Sequence, residues 1–427
     1  MRALVVGLAV SGRAAVDALR ADGNEVVAYD ARSGAAAGVE ADRVVTGEWS
    51  PALLDGVDLV VPSPGVPETA APVADALAAG LDVWSELELG WRRLSPAPPT
   101  GAVTGTNGKT TIVELVSAML VASGLDAAAV GNIGEPISGS ASVGHDALVV
   151  EASSFQLRFI DRFAPDAAVL VNFAPDHLDW HPDVTAYAAA KARIFENMTD
   201  VSPVIYDADD EGAARIVAAH RGRLVPVSGS RRIERSGPVG ESMWLAGHRI
   251  STADLVRSDP IMLVDMAAAA ELAAALGATG EGIVTGALGY TAGRHRREIV
   301  SSSGGVTWVD DSKATNPHAA LAAIESYPSV VLIAGGRAKG LDIRPLAAAG
   351  HVRAVVAIGE SAPVLLEERP DALTADSMDE AVERAAAIAR EGDVVLLAPG
   401  CASFDMFDSY GHRGDVFAEA VRRRLGE

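Results

Sequence analysis

Only four lysines occur in the chain, and each stands in a segment built like a site. The segments are Gly105-Thr106-Asn107-Gly108-Lys109-Thr110-Thr111, Tyr187-Ala-Ala-Ala-Lys191, Asp311-Ser-Lys313-Ala-Thr315-Asn316 and Gly335-Gly-Arg-Ala-Lys339-Gly340. Lysine and arginine together number 35, so arginine supplies positive charge almost everywhere else. The lysines mark places where a compact, rotatable ammonium or a reactive amine is required and a planar guanidinium will not serve. In Gly105–Thr111 the glycines let backbone N–H groups face a phosphate, Lys109 neutralises its oxygens, and the Thr110 hydroxyl is placed to ligate Mg²⁺. The first glycine of the usual signature falls on Val103, so Gly105 opens a shorter loop. Nucleotide binding is the expected chemistry.

Such a loop requires a strand before it and a helix after it, and Gly101–Thr104 and Ile112–Val121 have those compositions. Two more apolar runs, Ala147–Val150 and Ala167–Val171, end in Glu151 and in Asn172 with Asp176-His177. In open parallel sheets, active groups collect beyond the C-terminal strand ends. Glu151 and His177 are therefore expected on the rim that carries Lys109. Carboxylates there suit Mg²⁺ beside a γ-phosphate and an attacking anion. Lys191 is expected on a helix near Tyr187–Met198.

Short apolar strands alternate with helices throughout the chain, which predicts mostly parallel sheets in three serial α/β domains. The first has strands at Ala3–Gly7, Glu25–Tyr29 and Asp58–Val61, and ends at the linker Ser95-Pro-Ala-Pro-Pro99. The second continues through strands at Pro203–Tyr206 and Leu224–Val227 to alanine-rich helices near 265–276 and 280–289. The basic run Arg294–Arg297 closes it. The third begins with a hairpin through Gly304-Gly305, then a helix from Pro317, strands at Val330–Ala334, Ala354–Ile358 and Val394–Leu397, and a helix over 378–390. The boundaries are set at 1–94, 95–297 and 298–427.

The 427 residues are 49% hydrophobic and 22% charged, as expected for several globular cores. A net charge of −22 disfavours general binding to nucleic acid or anionic membrane. No apolar run is long enough to span a bilayer, and the N-terminus lacks a signal-peptide pattern. A single cysteine, Cys401, suits a cytoplasmic protein.

These motifs, together with Gly131-Asn132-Ile-Gly134, Glu151–Leu157, Lys191–Asn197, His295-Arg296 and Cys401-Ala-Ser403-Phe404-Asp405, resemble the Mur ligase family along essentially the whole chain. The resemblance implies a Rossmann-like N-terminal domain, a central P-loop ATPase-like domain and a Rossmann-like C-terminal domain. It implies an ATP-dependent, cytoplasmic amide ligase of peptidoglycan precursor synthesis, acting as a monomer. D-glutamate would be joined to UDP-N-acetylmuramoyl-L-alanine through an acyl phosphate. Thr110 and Glu151 would attend one Mg²⁺, His177 and a carbamylated Lys191 the second. Asn132 would approach the nucleotide and acyl group, Arg296 the phosphates and Asp311 the ribose. Lys313, Thr315, Lys339, Ser403, Phe404 and Tyr410 would form the D-glutamate side. Val10, Ser11, Asp30, Arg32, Ser63, Pro64 and Gly65 would hold UDP.

One stretch departs from the family. Its His-Asn-x-x-Asn is here Ile261-Met-Leu-Val-Asp265, so Asp265 offers the adenine an acceptor without the amide's donor. Three alternatives stand beside this reading, the third and least supported being a dehydrogenase. A sister Mur ligase or folylpolyglutamate synthase would use the same chemistry on another amino acid, though the Asp-Asn-Pro-Arg box of a diaminopimelate- or lysine-adding enzyme is absent. A nucleotide-binding regulator would not need Glu151, His177 and Lys191.

Overall fold

The apolar runs form four sheets among the described residues of the computed structural model, which describes residues 1–139 and 144–426. They are distributed over two compact units, Met1–Phe173 with Trp180–Tyr290, and Ala174–Asp179 with Thr291–Glu427.

The first sheet is parallel, in the order Arg43–Thr46, Glu25–Asp30, Arg2–Val6, Leu59–Pro62, Asp82–Val83. The two edge strands were not expected. Arg43–Thr46 is mostly exposed and polar at both ends, and Asp82–Val83 is two residues long, so neither carries a buried-strand signature. Helix Glu86–Arg93 ties this sheet to the next. Its Glu88 is fully buried, and the carboxylate accepts from the amides of Asp161, Arg162 and Phe163 and from Arg92 Nε at 2.6–3.0 Å. Three convergent N–H groups and a guanidinium compensate the buried charge.

The second sheet is also parallel, in the order Leu224–Val227, Val204–Asp207, Ala167–Leu170, Thr100–Thr104, Ala147–Glu151, Ala127–Gly131. The chain fills one side of Thr100–Thr104 and then crosses to the other, which opens a crevice at the strand's C-terminal end. Strand Ala127–Gly131 escaped the sequence reading because three of its residues are alanine. A three-stranded antiparallel sheet, Gly237–Val239, Ser242–Leu245 and His248–Ser251, was likewise unexpected. It packs over helix Pro260–Ala275, which begins five residues before the expected 265. The start signal is legible in retrospect: Asp259 caps it through Met262 N, and Pro260 occupies its first turn. Buried on nearly all sides against helix Lys109–Ala122 and both sheets, this helix has no apolar stripe by which to set its limits.

The third large sheet runs Glu298–Ser303, Val306–Asp310, Val394–Leu397, Val330–Gly335, Val352–Ile358, Leu373–Ala375. Its first pair is the expected antiparallel hairpin and the remainder is parallel. The C-terminal ends of its three middle strands launch three loops side by side, Asp310–Asn316, Gly335–Gly340 and Ala398–Ser403. Helix Tyr410–Leu425 covers one face, burying Phe417 and Val421 beside Trp308, Ile333 and Leu397. No helix among the described residues is long and apolar enough to cross a membrane.

Candidate active site

Gly105 and Gly108 hold φ of 157° and 81°, and helix Lys109–Ala122 starts directly after them. At these angles a Cβ is strained, which is why glycine recurs here. The turn is braced by Asn172, at the end of the neighbouring strand. Its Oδ1 accepts from Thr106 N at 3.0 Å and Asn107 N at 2.9 Å, while its Nδ2 donates to Asn107 O at 3.2 Å. Lys109 Nζ lies across the loop, donating to Gly105 O at 2.9 Å and Thr106 O at 3.0 Å. Thr110 and Thr111 follow in the helix's first turn, Thr111 buried and Thr110 half-buried.

Lys191 reaches the same loop from helix Val184–Ala192, which gives way at Arg193 to a 3₁₀ turn and so is shorter than expected. Its Nζ donates to Gly105 O at 2.7 Å and lies 4.6 Å from the Tyr187 ring, whose hydroxyl is 3.2 Å from Thr106 Oγ1. Lys191 is 1% exposed. Glu151 ends the adjoining strand and is buried. Its Oε1 accepts from Asn132 Nδ2 at 2.7 Å, whereas Oε2 has no hydrogen-bond partner among the described residues. Asn132 is fixed in turn by its amide, 2.9 Å from Glu151 O. A carboxylate oxygen shut away from water with no donor is the arrangement a divalent cation completes. Asp265 lies in the second turn of its helix, buried against the loop: a Cβ on Gly108 would come within 2.7 Å of its Oδ1.

His177 belongs to the segment Ala174–Asp179, which packs with the second unit. It has φ 55°, and its Nε2 stands 3.7 Å from Asp176 Oδ2. Asp176 is the anchor of that segment, and its importance was missed in the sequence. Its buried carboxylate accepts from Lys339 Nζ at 2.7 Å, Asn316 Nδ2 at 2.9 Å and the His177 amide at 2.7 Å. Burial alone pushes its pKa up, but His177, Lys339 and the hydrogen bonds outweigh that and hold it below the ordinary value. Lys339 also has positive φ, 55°, so both named site residues here sit in strained backbone.

Lys313 Nζ lies 4.0 Å from the Tyr410 ring, and Ser403 is buried in the third loop with Phe404 exposed beside it. Thr315 is half-buried next to Asn316. Asp311 Oδ1 accepts from Arg297 N at 3.2 Å, one residue after the half-buried Arg296. His295 Nδ1 pairs with Asp310 Oδ2 at 2.7 Å, and its amide donates to Glu298 Oε2 at 3.1 Å. The ligand-type atoms of these three residues lie within 4.8 Å of one another, with His295 Nδ1 already paired to Asp310.

In the first sheet, Asp30 accepts from the amides of Leu8 and Arg32 at 2.9 Å and from the Arg32 side chain. Burial raises its pKa, yet the Arg32 guanidinium and these amides prevail and hold it at about 2. Ser63 Oγ donates to Gly7 O at 2.8 Å, tying the loop that carries Pro64 and Gly65 to the first strand. A Cβ on Gly12 would overlap Gly7 O, so glycine permits the helix Val10–Ala21 to start against that strand. Val10 is exposed at its tip and Ser11 half-exposed.

Family models match along the chain: Mur ligase MurD-like N-terminal domain over residues 1–85, Mur ligase middle domain over 103–231, and Mur ligase glutamate ligase domain over 295–401. The UDP-N-acetylmuramoylalanine–D-glutamate ligase of Frankia casuarinae is 45% identical, covering 99% of this chain and 94% of the relative. Its namesake from Myxococcus xanthus is 40% identical over 98% of each. Among solved structures, the Thermotoga maritima MurF ligase in complex with ADP aligns with TM-score 0.64 at 18% identity, covering 99% of this chain and 95% of that one. Thermotoga maritima UDP-N-acetylmuramate–alanine ligase MurC aligns with TM-score 0.60 at 17% identity over the full length of both. The structural likeness establishes the fold, and the near-full-length identity with curated ligases establishes the kinship: this chain belongs to the Mur ligase family.

Proposed function

We propose that the chain joins the amine of D-glutamate to the L-alanyl carboxylate of UDP-N-acetylmuramoyl-L-alanine, converting ATP to ADP and phosphate. The observation that carries this reading is the meeting of Lys191, Lys109 and the phosphate-type loop around Gly105 O, with the half-satisfied Glu151 on the adjoining strand. Relatives that cover nearly the whole chain bear the name of this ligase, which supports D-glutamate as acceptor.

A carboxylate is a poor acyl donor, and phosphorylation gives it a leaving group. In this reading the substrate carboxylate oxygen attacks the γ-phosphorus, the bond to the β-γ bridging oxygen breaks, and ADP leaves. The amine then attacks the acyl carbon, loses a proton, and the C–O bond to phosphate breaks. Lys109 neutralises the transferring oxygens, and Asn172 keeps the loop amides aimed. Thr110 with Glu151, and His177 with Lys191 as a carbamate, would hold two Mg²⁺. These ions would neutralise the anions brought together and align the reacting oxygens. Carbamylation joins CO₂ to the neutral Lys191 amine with loss of a proton, turning a buried cation into a carboxylate-like ligand, which arginine cannot do readily.

Residues 1–94 would hold UDP through Val10, Ser11, Asp30, Arg32 and Ser63–Gly65, residues 95–297 the nucleotide, and residues 298–427 the amino acid. Arg296, Asp311 and Asp265 would complete the ATP site. Lys313, Thr315, Lys339, Ser403, Phe404 and Tyr410 would bind D-glutamate, whose two carboxylates need several cationic or hydroxyl donors. The enzyme would act as a cytoplasmic monomer on small molecules, without nucleic acid or membrane. Phosphate release measured with UDP-N-acetylmuramoyl-L-alanine and a panel of amino acids tests the reading. Release dependent on D-glutamate is expected, and release with L-lysine or diaminopimelate instead overturns the specificity.

A further inference from the structure

Arg413 is 1% exposed and heads the largest wholly buried side chains. It sits in the first turn of helix Tyr410–Leu425, whose side chains otherwise pack the C-terminal core. Its guanidinium meets neutral acceptors. Nε donates to Ser312 Oγ at 2.9 Å, Nη2 to Ser312 O at 2.9 Å, and Nη1 to Cys401 O at 3.1 Å. No carboxylate among the described residues hydrogen-bonds or ion-pairs with it. The acids that influence it, Asp405 and Asp310, act at longer range, and burial lowers its pKa to about 10. At that value it remains cationic near neutrality.

A buried cation without a paired anion is rare because desolvation is not repaid. Its location suggests what repays it. Ser312 lies in the loop that carries Lys313 and Thr315, and Cys401 in the loop that carries Ser403. The loop Gly335–Gly340, which carries Lys339, is stitched to the Cys401 loop by the Arg337–Ala402 amide pair, 3.0 Å in each direction. A Cβ on Gly336 in that loop would come within 3.5 Å of Arg413 Nη1. Ser312 Oγ also donates to Tyr410 O at 2.7 Å, so the start of the helix is fixed to the same point. One guanidinium thus stands where all three loops of the acceptor side converge, yet it is walled off from any ligand.

We propose that Arg413 is a positioning residue for the acceptor amino acid: it ties the Ser312 and Cys401 loops directly, and through the Arg337–Ala402 amide pair the Gly335–Gly340 loop, and holds a permanent positive charge behind them that favours a dicarboxylate. This rests on the D-glutamate reading above. The planar fork gives the clamp its geometry, and the low-dielectric surroundings let the charge act through the loops. Asp405 and Asp310 temper the field without cancelling it by contact.

Steady-state kinetics of the full-length enzyme, with KM for each of the three substrates, tests the proposal on Arg413→Met and Arg413→Lys. Arg413→Met removes charge and fork at similar volume. It is expected to raise KM for D-glutamate tenfold or more while the KM values for ATP and UDP-N-acetylmuramoyl-L-alanine stay within threefold. Arg413→Lys, which keeps the charge, is expected to recover part of the loss. A Met variant with unchanged KM for D-glutamate, or with all three KM values raised alike, overturns it. If the Met variant does not fold, the Lys variant decides: a selective rise of threefold or more for D-glutamate supports the proposal, and no change or a uniform rise overturns it. Wild-type enzyme inert toward D-glutamate removes the underlying reading and this proposal together, which separates the two failures.

Discussion

The phosphate-type loop of the central sheet and the three acceptor-side loops of the C-terminal sheet solve the same problem by different means. Both gather beyond the C-terminal ends of parallel strands, and in the proposed reading both present cations to anionic ligands. At the first, order comes from backbone and neutral groups: two glycines at positive φ, the Asn172 carboxamide, and carbonyls that hold Lys109 and Lys191. At the second, order comes from side-chain charge, with Arg413 behind the loops and Asp176 pairing Lys339. A continuous loop can be shaped by its own φ values. Three loops from separate strands are tied by contacts between them: Arg413 joins two, and the Arg337–Ala402 amide pair joins the third.

The contrast predicts different failures. Lys191→Arg, at the backbone-ordered site, is expected to lower kcat by about 10²–10³-fold or more in the phosphate-release assay, because a guanidinium cannot become the carbamate ligand. An active Lys191→Arg enzyme discards the carbamate. Asp176→Asn, at the charge-ordered site, leaves the largely enclosed Lys339 without its anion and is expected to cost about 3 kcal/mol of stability by urea unfolding at neutral pH. The sign of the pH dependence follows from a depressed folded pKa. Stability from Asp176 is present above the ordinary carboxylate value near 3.8 and is lost as pH falls through the lower folded value. The wild-type advantage over Asp176→Asn should therefore vanish at acid pH, and an advantage that persists there breaks the assignment.

Asn172→Ala strips the acceptor from two loop amides, a loss of about 1–2 kcal/mol. KM for ATP is expected to rise roughly tenfold with KM for D-glutamate unchanged, and equal rises would erase the distinction between the two regions. The smallest effect is expected at Asp265→Asn. Its carboxylate lies against Gly108 and opposes an incoming triphosphate, so neutralising it should lower KM for ATP roughly fivefold, about 1 kcal/mol. A higher KM would mean that the acid makes a favourable contact with the base.

The same contrast explains what could be foreseen. Gly105–Thr111 is contiguous, and its glycines, lysine and hydroxyls carry their reason in their order. The strands before Lys109, Glu151 and Asn172 were equally plain, being short apolar runs buried on both faces. Asn172 was seen at its strand end, but its role as a brace was not, because an asparagine's partners lie 65 and 66 residues away. Asp176 was noticed only as the neighbour of His177, and Arg413 not at all.

Sequence alone therefore determined the alternation of strand and helix, the nucleotide-type loop and the identity of the residues able to do chemistry, because local spacing encodes each. Tertiary structure alone decided that Glu151 keeps one oxygen unpartnered among the described residues, that Asp176 pairs with Lys339, and that a buried arginine joins loops drawn from the 310s and 400s. Those outcomes depend on desolvation and on contacts between distant segments. Neither property belongs to a residue until the chain has folded around it.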